Sequence, residues 1–262
     1  MNFKAAVFGA AASILSFGVA TAADLTSYKA PPPPPPAIGF DWTGYHLGIS
    51  GGYGAGSTGY LSNVTAFGPT PVVNWNNVAT NLGTRGYLVG VQSGADWQLP
   101  NRIVLGYESE FNYADVSSNV TGGWNFGNQL YSRLRWYGAE RLRIGYAFGR
   151  FMPYVTGGLA YGQLHVSGVD SVAGYLFPTS ASSWQAGWTV GAGFEYALFD
   201  KISVKAEYLY SSLQGTHGSG LGYPNAYRTF TGNGFDTHIA RIGVNYRVKN
   251  LGALIGMPDL GI

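Results

Sequence analysis

Nine charged residues carry the side chains that could do chemistry in this chain: Glu108, Glu110, Arg141, Arg143, Glu195, Lys205, Glu207, Arg241 and Arg247. Several stand two apart: Glu108 with Glu110, Arg141 with Arg143, Lys205 with Glu207. On a β-strand a spacing of two puts both side chains on one face. Two carboxylates on one face have two chemical uses. With a sugar between them they form the acid and base pair of a glycosidase. With cations opposite they form a salt-bridge network. The four histidines, His46, His165, His217 and His238, show no metal-ligand spacing, and zinc normally needs three or four convergent ligands. Gly215–Gly222 is glycine-rich but lacks the strand-to-helix setting of a phosphate cradle. No Ser/His/Asp set stands at an obvious common rim. The sequence therefore points to no catalytic residue, no metal site and no cofactor, and to a protein that is not an enzyme.

Which use the carboxylates serve depends on the elements that hold them. From Gly44 to Arg247 the chain reads as eight short alternating strands. Three connections are tight: Leu99–Arg102, Phe148–Arg150 and Phe199–Lys201. Four are long and polar, at roughly 55–85, 115–131, 164–184 and 213–235. Long loops at one end and short turns at the other are the plan of a transmembrane β-barrel. The fold expected is all-β, an eight-stranded antiparallel up-and-down barrel with four long extracellular loops and three short periplasmic turns.

Composition agrees. Charged residues are 11% of the chain and aromatics 15%, against roughly 25% charged in a typical soluble domain. A lipid-facing barrel needs few charges, and aromatics to girdle it at both interfaces. Beyond residue 25 no stretch offers the roughly 18 apolar residues of a membrane helix. Lipid-exposed backbone must then be paired in a closed sheet. Net charge is +2 and cysteine is absent. Nucleic acid is not an implied partner, and disulfides and thiol chemistry are excluded.

Alternation assigns the faces. One face carries Tyr45, Leu47 and Ile49; Tyr87, Val89 and Val91; Leu105, Tyr107 and Phe111; Leu134, Trp136, Leu142 and Ile144. The other carries glycine and the nine charges. Eight strands enclose a space that side chains just fill. Glycine and a few ions fit there, whereas the bulky residues do not, so the apolar face meets lipid. Four acids then face five bases in the lumen. Ions held away from water are costly unless paired, so the nine residues are expected to form a lumen salt-bridge network. A filled lumen leaves no cleft for a sugar and argues against an open pore. Glu140 falls in phase with Trp136 and Leu142, on the lipid side. Either a bulge near Gly138 changes the phase or Glu140 stands near an interface.

The ends are organised differently. Lys4, the apolar run Ala5–Val19 and Ala20-Thr21-Ala22 have the form of a signal peptide, residues 1–22. Cleavage after Ala22 or after Ala23 fits. Residues 23–41 are a proline-rich periplasmic linker containing Pro31–Pro36, an extended polyproline run. It reads as a spacer or as an unstructured leader. The barrel spans 42–248. An apolar C-terminal tail, 249–262, either covers the periplasmic mouth or is disordered.

Trp42-Thr43-Gly44-Tyr45-His46-Leu47-Gly48 resembles the opening of small outer-membrane β-barrels of alpha-proteobacteria. Arg143–Tyr146, Pro153–Gly158, Gly191–Tyr196 and Glu207–Tyr210 resemble their later strands, and Arg241–Arg247 their last. The family belongs with the OmpA-like barrels of the porin superfamily. Its members are called outer-membrane surface antigens or immunogenic proteins; some are similar to haem-binding proteins and some are labelled porins. The resemblance implies an outer-membrane location, surrounding lipid and the barrel insertion machinery as partners. The function it implies is structural, with a small porin or a haem or small-ligand binder as the alternative. It also implies that a mature chain starting Ala23-Asp24 is attached to peptidoglycan through the Ala23 amine. Family barrels usually end in Phe. Here Val248 stands at that place and a tail follows.

Overall fold

The computed structural model describes residues 39–66, 73–121, 129–172, 175–222 and 226–250. The expected signal peptide, Ala23, the proline run and the chain from 251 onward lie outside the described residues. So do residues 67–72, 122–128, 173–174 and 223–225, within the four long connections expected from the sequence.

Nine strand segments fill eight barrel positions. They are β1 (Gly44–Ala66), β2 (Val73–Gln98), β3 (Ile103–Thr121), β4 (Gln129–Tyr146), β5 (Phe151–Val172), β6 (Tyr175–Ala197), β7 (Ile202–Leu213), β8 (His217–Gly222) and β9 (Ala226–Val248). Each pairs antiparallel with its neighbour, and β9 returns to β1, from Tyr45↔Val248 up to Ala66↔Ala226. The ring of ladders is complete from the short turns up to the Gly187↔Leu213 pair, as the bilayer requires; above it β6 and β8 lie side by side without a ladder between them. β7 and β8 share the seventh position. β7 pairs with β9 over Leu213↔Phe235 and below, and β8 over His217↔Thr231 and beyond.

The short turns are closed by backbone bonds. Arg102 N–H donates to Leu99 O at 2.9 Å, and Phe199 N–H to Ile202 O at 3.0 Å. Gly149 turns the β4–β5 corner at φ +64°, a left-handed conformation that suits glycine.

The apolar face points outward. Ile242, Leu159 and Leu142 are 71%, 69% and 67% exposed, which is stable only against lipid. Aromatics gather at both ends of this band. Tyr45, Trp97, Tyr146, Phe148 and Tyr246 stand near the short turns; Tyr53, Tyr87, Tyr113, Trp136 and Trp188 stand toward the other end.

Two expectations need correction. The long polar connections are largely strand. β1 runs to Ala66 and β2 starts at Val73, while β5 and β6 cover most of 164–184. Polar composition did not stop the ladder, because a register set lower down carries pairing upward and alternation still places Tyr60, Leu82, Leu164 and Val166 inside. The second correction is Leu134, which is 1% exposed and points inward. Leu134 pairs with Leu164 and Trp136 with Gln163, so Arg135 is an extra residue on β4. A bulge reverses which face the following residues take. It lies at Arg135 rather than Gly138, and Glu140 keeps the phase of Leu142. There Glu140 accepts a hydrogen bond from Ser109 Oγ at 2.8 Å and another from the Tyr107 hydroxyl.

The bulge has a measurable consequence. Leu134→Ala opens an internal cavity and should cost about 2–5 kcal/mol in urea unfolding from lipid vesicles. Leu142→Ala opens none and should cost clearly less. Equal losses at the two sites would count against an inward Leu134.

Candidate functional site

The lumen is filled at successive levels. At the turn end Trp42, Val104, Ala147, Met152, Tyr154 and Ala197 pack together, with Phe40 against them. Trp42 is fully buried. Its backbone N–H donates to Gln98 Oε1 at 2.9 Å and its indole N–H to Gly149 O at 3.0 Å. Toward the other end an apolar cluster holds Leu88, Val116, Leu134, Tyr137, Leu209 and Ile239. Tyr60, Leu82 and Val166 pack beyond it. The charges lie between these plugs.

All nine residues singled out from the sequence meet there. Alternation on β3, β4, β6, β7 and β9 aims them inward, and closure of the barrel brings them together. Arg143 forks onto Asp96, with Nε to Oδ1 at 2.7 Å, and reaches Glu195 Oε2 at 2.9 Å. Arg247 joins the same group, 2.8 Å from Asp96 and 3.1 Å from Glu195. It also donates to Trp42 O at 2.6 Å. Ser203 Oγ donates to Glu195 Oε1 at 2.5 Å.

Higher up, Arg141 donates to Glu207 at 2.9 Å and to Glu110 at 2.9 Å. Arg241 donates from Nε to Glu207 Oε2 at 2.7 Å and also pairs with Glu110. Glu108 joins the two groups. Its Oε1 is 2.6 Å from both Arg141 Nη2 and Lys205 Nζ, and its Oε2 is 3.6 Å from Arg143 Nη1.

Asp96 and His46 were not among the nine. Asp96 occupies an inward position of β2, and adding it makes five acids against five bases rather than four. His46 is fully buried between Asp96 at 3.4 Å and Glu108 at 3.5 Å. Both follow from the alternation of β1 and β2, and counting charge on the inner face of every strand finds Asp96. Glycine makes the room: a Cβ on Gly106 would lie 2.3 Å from Asp96 Oδ1 and 2.7 Å from Arg143 Cγ.

Glu108 and Glu110 are each 2% exposed and share Arg141 Nη2. A guanidinium stands where a sugar would have to enter. The other histidines lie elsewhere: His165 on β5, His217 at the start of β8, and His238 on β9 with Nδ1 2.6 Å from the Tyr208 hydroxyl. Among the described residues no group of three or more His, Asp and Glu is placed to hold a metal.

Outward apolar strands, a sheet closed by β9 on β1 and a charge-paired interior define an outer-membrane β-barrel. The chain belongs to the outer membrane protein β-barrel domain family, whose pattern matches residues 9–247. It is 31% identical over 251 residues to the 31 kDa outer-membrane immunogenic protein of Brucella melitensis, covering 93% of this chain and 99% of that protein. It is 28% identical over 244 residues to the 25 kDa outer-membrane immunogenic protein of Brucella canis, covering 90% and 94%. The 22 kDa outer membrane protein of Rhizobium leguminosarum is 31% identical over 175 residues, 66% of this chain and 65% of that protein. Among solved structures it is similar to Neisserial surface protein A, at 11% identity and TM-score 0.39, over 79% of this chain and 98% of that one. The outer membrane protein OprG of Pseudomonas aeruginosa gives 14% and 0.43, over 80% and 99%.

The network predicts the cost of breaking it. Arg143→Leu leaves Asp96 and Glu195 each short of a cation and should lower unfolding free energy by about 3–5 kcal/mol. Arg143→Lys should recover only part, because an ammonium lacks the fork that spans both carboxylates. Detergent-solubilised Arg143→Leu melting like the unaltered protein would sink the idea.

Proposed function

We propose that this protein is a structural, non-enzymatic barrel of the outer membrane, anchored to peptidoglycan through the amino group of Ala23. The observation that carries the structural reading is the lumen. It holds a Trp42 plug, an ion-pair layer and an apolar cluster in sequence along its length. An interior of this kind supports a closed cylinder over a conducting one, since aqueous porins use about 16–18 strands.

The anchor rests on sequence. A mature chain beginning Ala23-Asp24 and followed by Pro31–Pro36 has the start and the reach that attachment needs. Polyproline extends about 3.1 Å per residue without folding back, which suits a spacer crossing part of the periplasm. The relatives named immunogenic support exposure of the opposite end at the cell surface. Insertion follows the general barrel route, with the insertion machinery as a transient partner.

Two measurements test this. Muramidase digestion of cell walls should release an N-terminal peptide whose Ala23 carries a muropeptide mass. A free amine there would remove the anchor. Planar bilayers containing the purified full chain should show no steps of open-channel conductance. Sustained steps would move the function to a small pore, and saturable binding of haem to the full chain would move it to ligand capture.

A further inference from the structure

Three arginines stand on the outer face of one wall, just beyond the aromatics at the extracellular end. Arg85 on β2 pairs across the sheet with Ser117 on β3, Ser117 with Arg133 on β4, and Arg133 with His165 on β5. Nearer the membrane lie Tyr87, across from Asp115, and then the paired Tyr113 and Trp136. Tyr113 packs edge-on against Trp136 at 5.4 Å and lies 6.4 Å from Tyr87. Aromatics of this kind mark the level where hydrocarbon gives way to headgroups. The row of cations therefore stands at headgroup level and faces sideways, toward lipid rather than toward the lumen.

The Arg135 bulge builds this row. Trp136 faces outward, and without the extra residue strict alternation would send both Arg133 and Arg135 into the lumen. With the bulge, Leu134 goes inside while Arg133, Arg135 and Trp136 all reach the outer surface. Two guanidinium groups are thus presented two residues apart, beside the belt. Arg133 is held in place, its Nε 2.9 Å from Asp115 Oδ1 and its Nη2 donating to the Tyr113 hydroxyl at 2.8 Å. Among the described residues, no carboxylate pairs with Arg85 or Arg135, and both are exposed. The wall is therefore left with excess positive charge after Asp115 is counted. On the opposite wall, near the same end, β7 and β9 place Ser212 and Asp236 across from one another. Among the described residues the positive charge is one-sided.

We infer that Arg85, Arg133 and Arg135 form a lateral binding site for the phosphate group of an outer-leaflet lipid, with Tyr87, Tyr113 and Trp136 against the upper part of its acyl chains. Guanidinium forks match phosphate oxygens in pairs. Adjacent strands are about 4.8 Å apart, so Arg85 and Arg133 spring from backbones about 10 Å apart. Side chains of that length converge on one anion from such a distance. A soluble anion would find the guanidinium groups but not the aromatic shelf, and the lipid uses both.

The test uses the full chain, folded in uncharged detergent micelles and titrated with lipid A, a phosphorylated glycolipid. The thermal midpoint is followed at each lipid ratio, and heat-modified migration on gels confirms that each variant is folded. Lipid A should raise the midpoint saturably, and its dephosphorylated form should not. Arg85→Gln with Arg135→Gln should raise the half-saturating lipid ratio at least fivefold. Arg85→Lys with Arg135→Lys should fall between the unaltered protein and the double Gln variant, because an ammonium keeps the charge and loses the fork, and Asp236→Asn on the far wall should change nothing. An unchanged half-saturation in the double Gln variant overturns the site. An equal response to dephosphorylated lipid does the same. An equal midpoint rise with inorganic phosphate, or with heparin in the absence of lipid, would assign the row to soluble anions and overturn the lipid reading.

Discussion

A carboxylate enclosed by eight strands has little water to solvate it, so every charge in this lumen must find its opposite within the wall. Glu108 shows the constraint most fully. It lies within 3.6 Å of Arg141, Arg143, Lys205, Arg241 and His46, contributed by β4, β7, β9 and β1. No two neighbouring strands satisfy it alone. The ions are therefore a closure condition: the cylinder must be complete before its charges are paired. Breaking one pair costs far more than the pair's net contribution to stability, because the partner is stranded. The lumen thus opposes partly closed states more strongly than it favours the closed one over an apolar interior.

The same constraint explains where glycine and bulk are placed. Long cationic side chains cross the lumen from one wall only if the facing wall is thin. On the same wall, Gly106 stands on β3 between Asp96 of β2 and Arg143 of β4 and leaves room for their pair, and β5 contributes Gly158 and Ala160 rather than ions. Above and below, the barrel reverts to apolar packing. Trp42 fills the end near the short turns, and the cluster around Leu134 and Leu209 fills the space above the charges. Ionic pairing is concentrated in the layer where guanidinium groups from opposite walls overlap.

Much of this was legible in the sequence because period two is unambiguous when one face is lipid. Leu47, Val89, Leu142 and Ile242 could not share a narrow lumen, so the nine ions had to. Less legible were the features that local pattern cannot encode. Leu134 continues the apolar phase of Trp136 in the sequence, and only the pairing of β4 with β5 reveals the residue inserted between them. Asp96 shares the inward alternation of Gln92 and Gly94, opposite in phase to Ala95 and Trp97, and so belongs to the lumen charge by the same rule. The extended ladders of β1, β2, β5 and β6 were hidden by polar composition, which sets what a strand faces rather than whether it pairs. Which cation meets which carboxylate is decided by closure, between residues up to 151 positions apart for Asp96 and Arg247.

Trp42 stands just ahead of β1. Its backbone and ring are held by β2 through Gln98, by the β4–β5 corner through Gly149, and by the last strand through Arg247. Arg247 also lies over its ring at 4.9 Å. A pull along the leader would reach these contacts before it reached any ladder bond of β1. The load would divide among three strands of the cylinder and be carried partly by a buried indole. Trp42 would therefore take such a load before the wall behind it does.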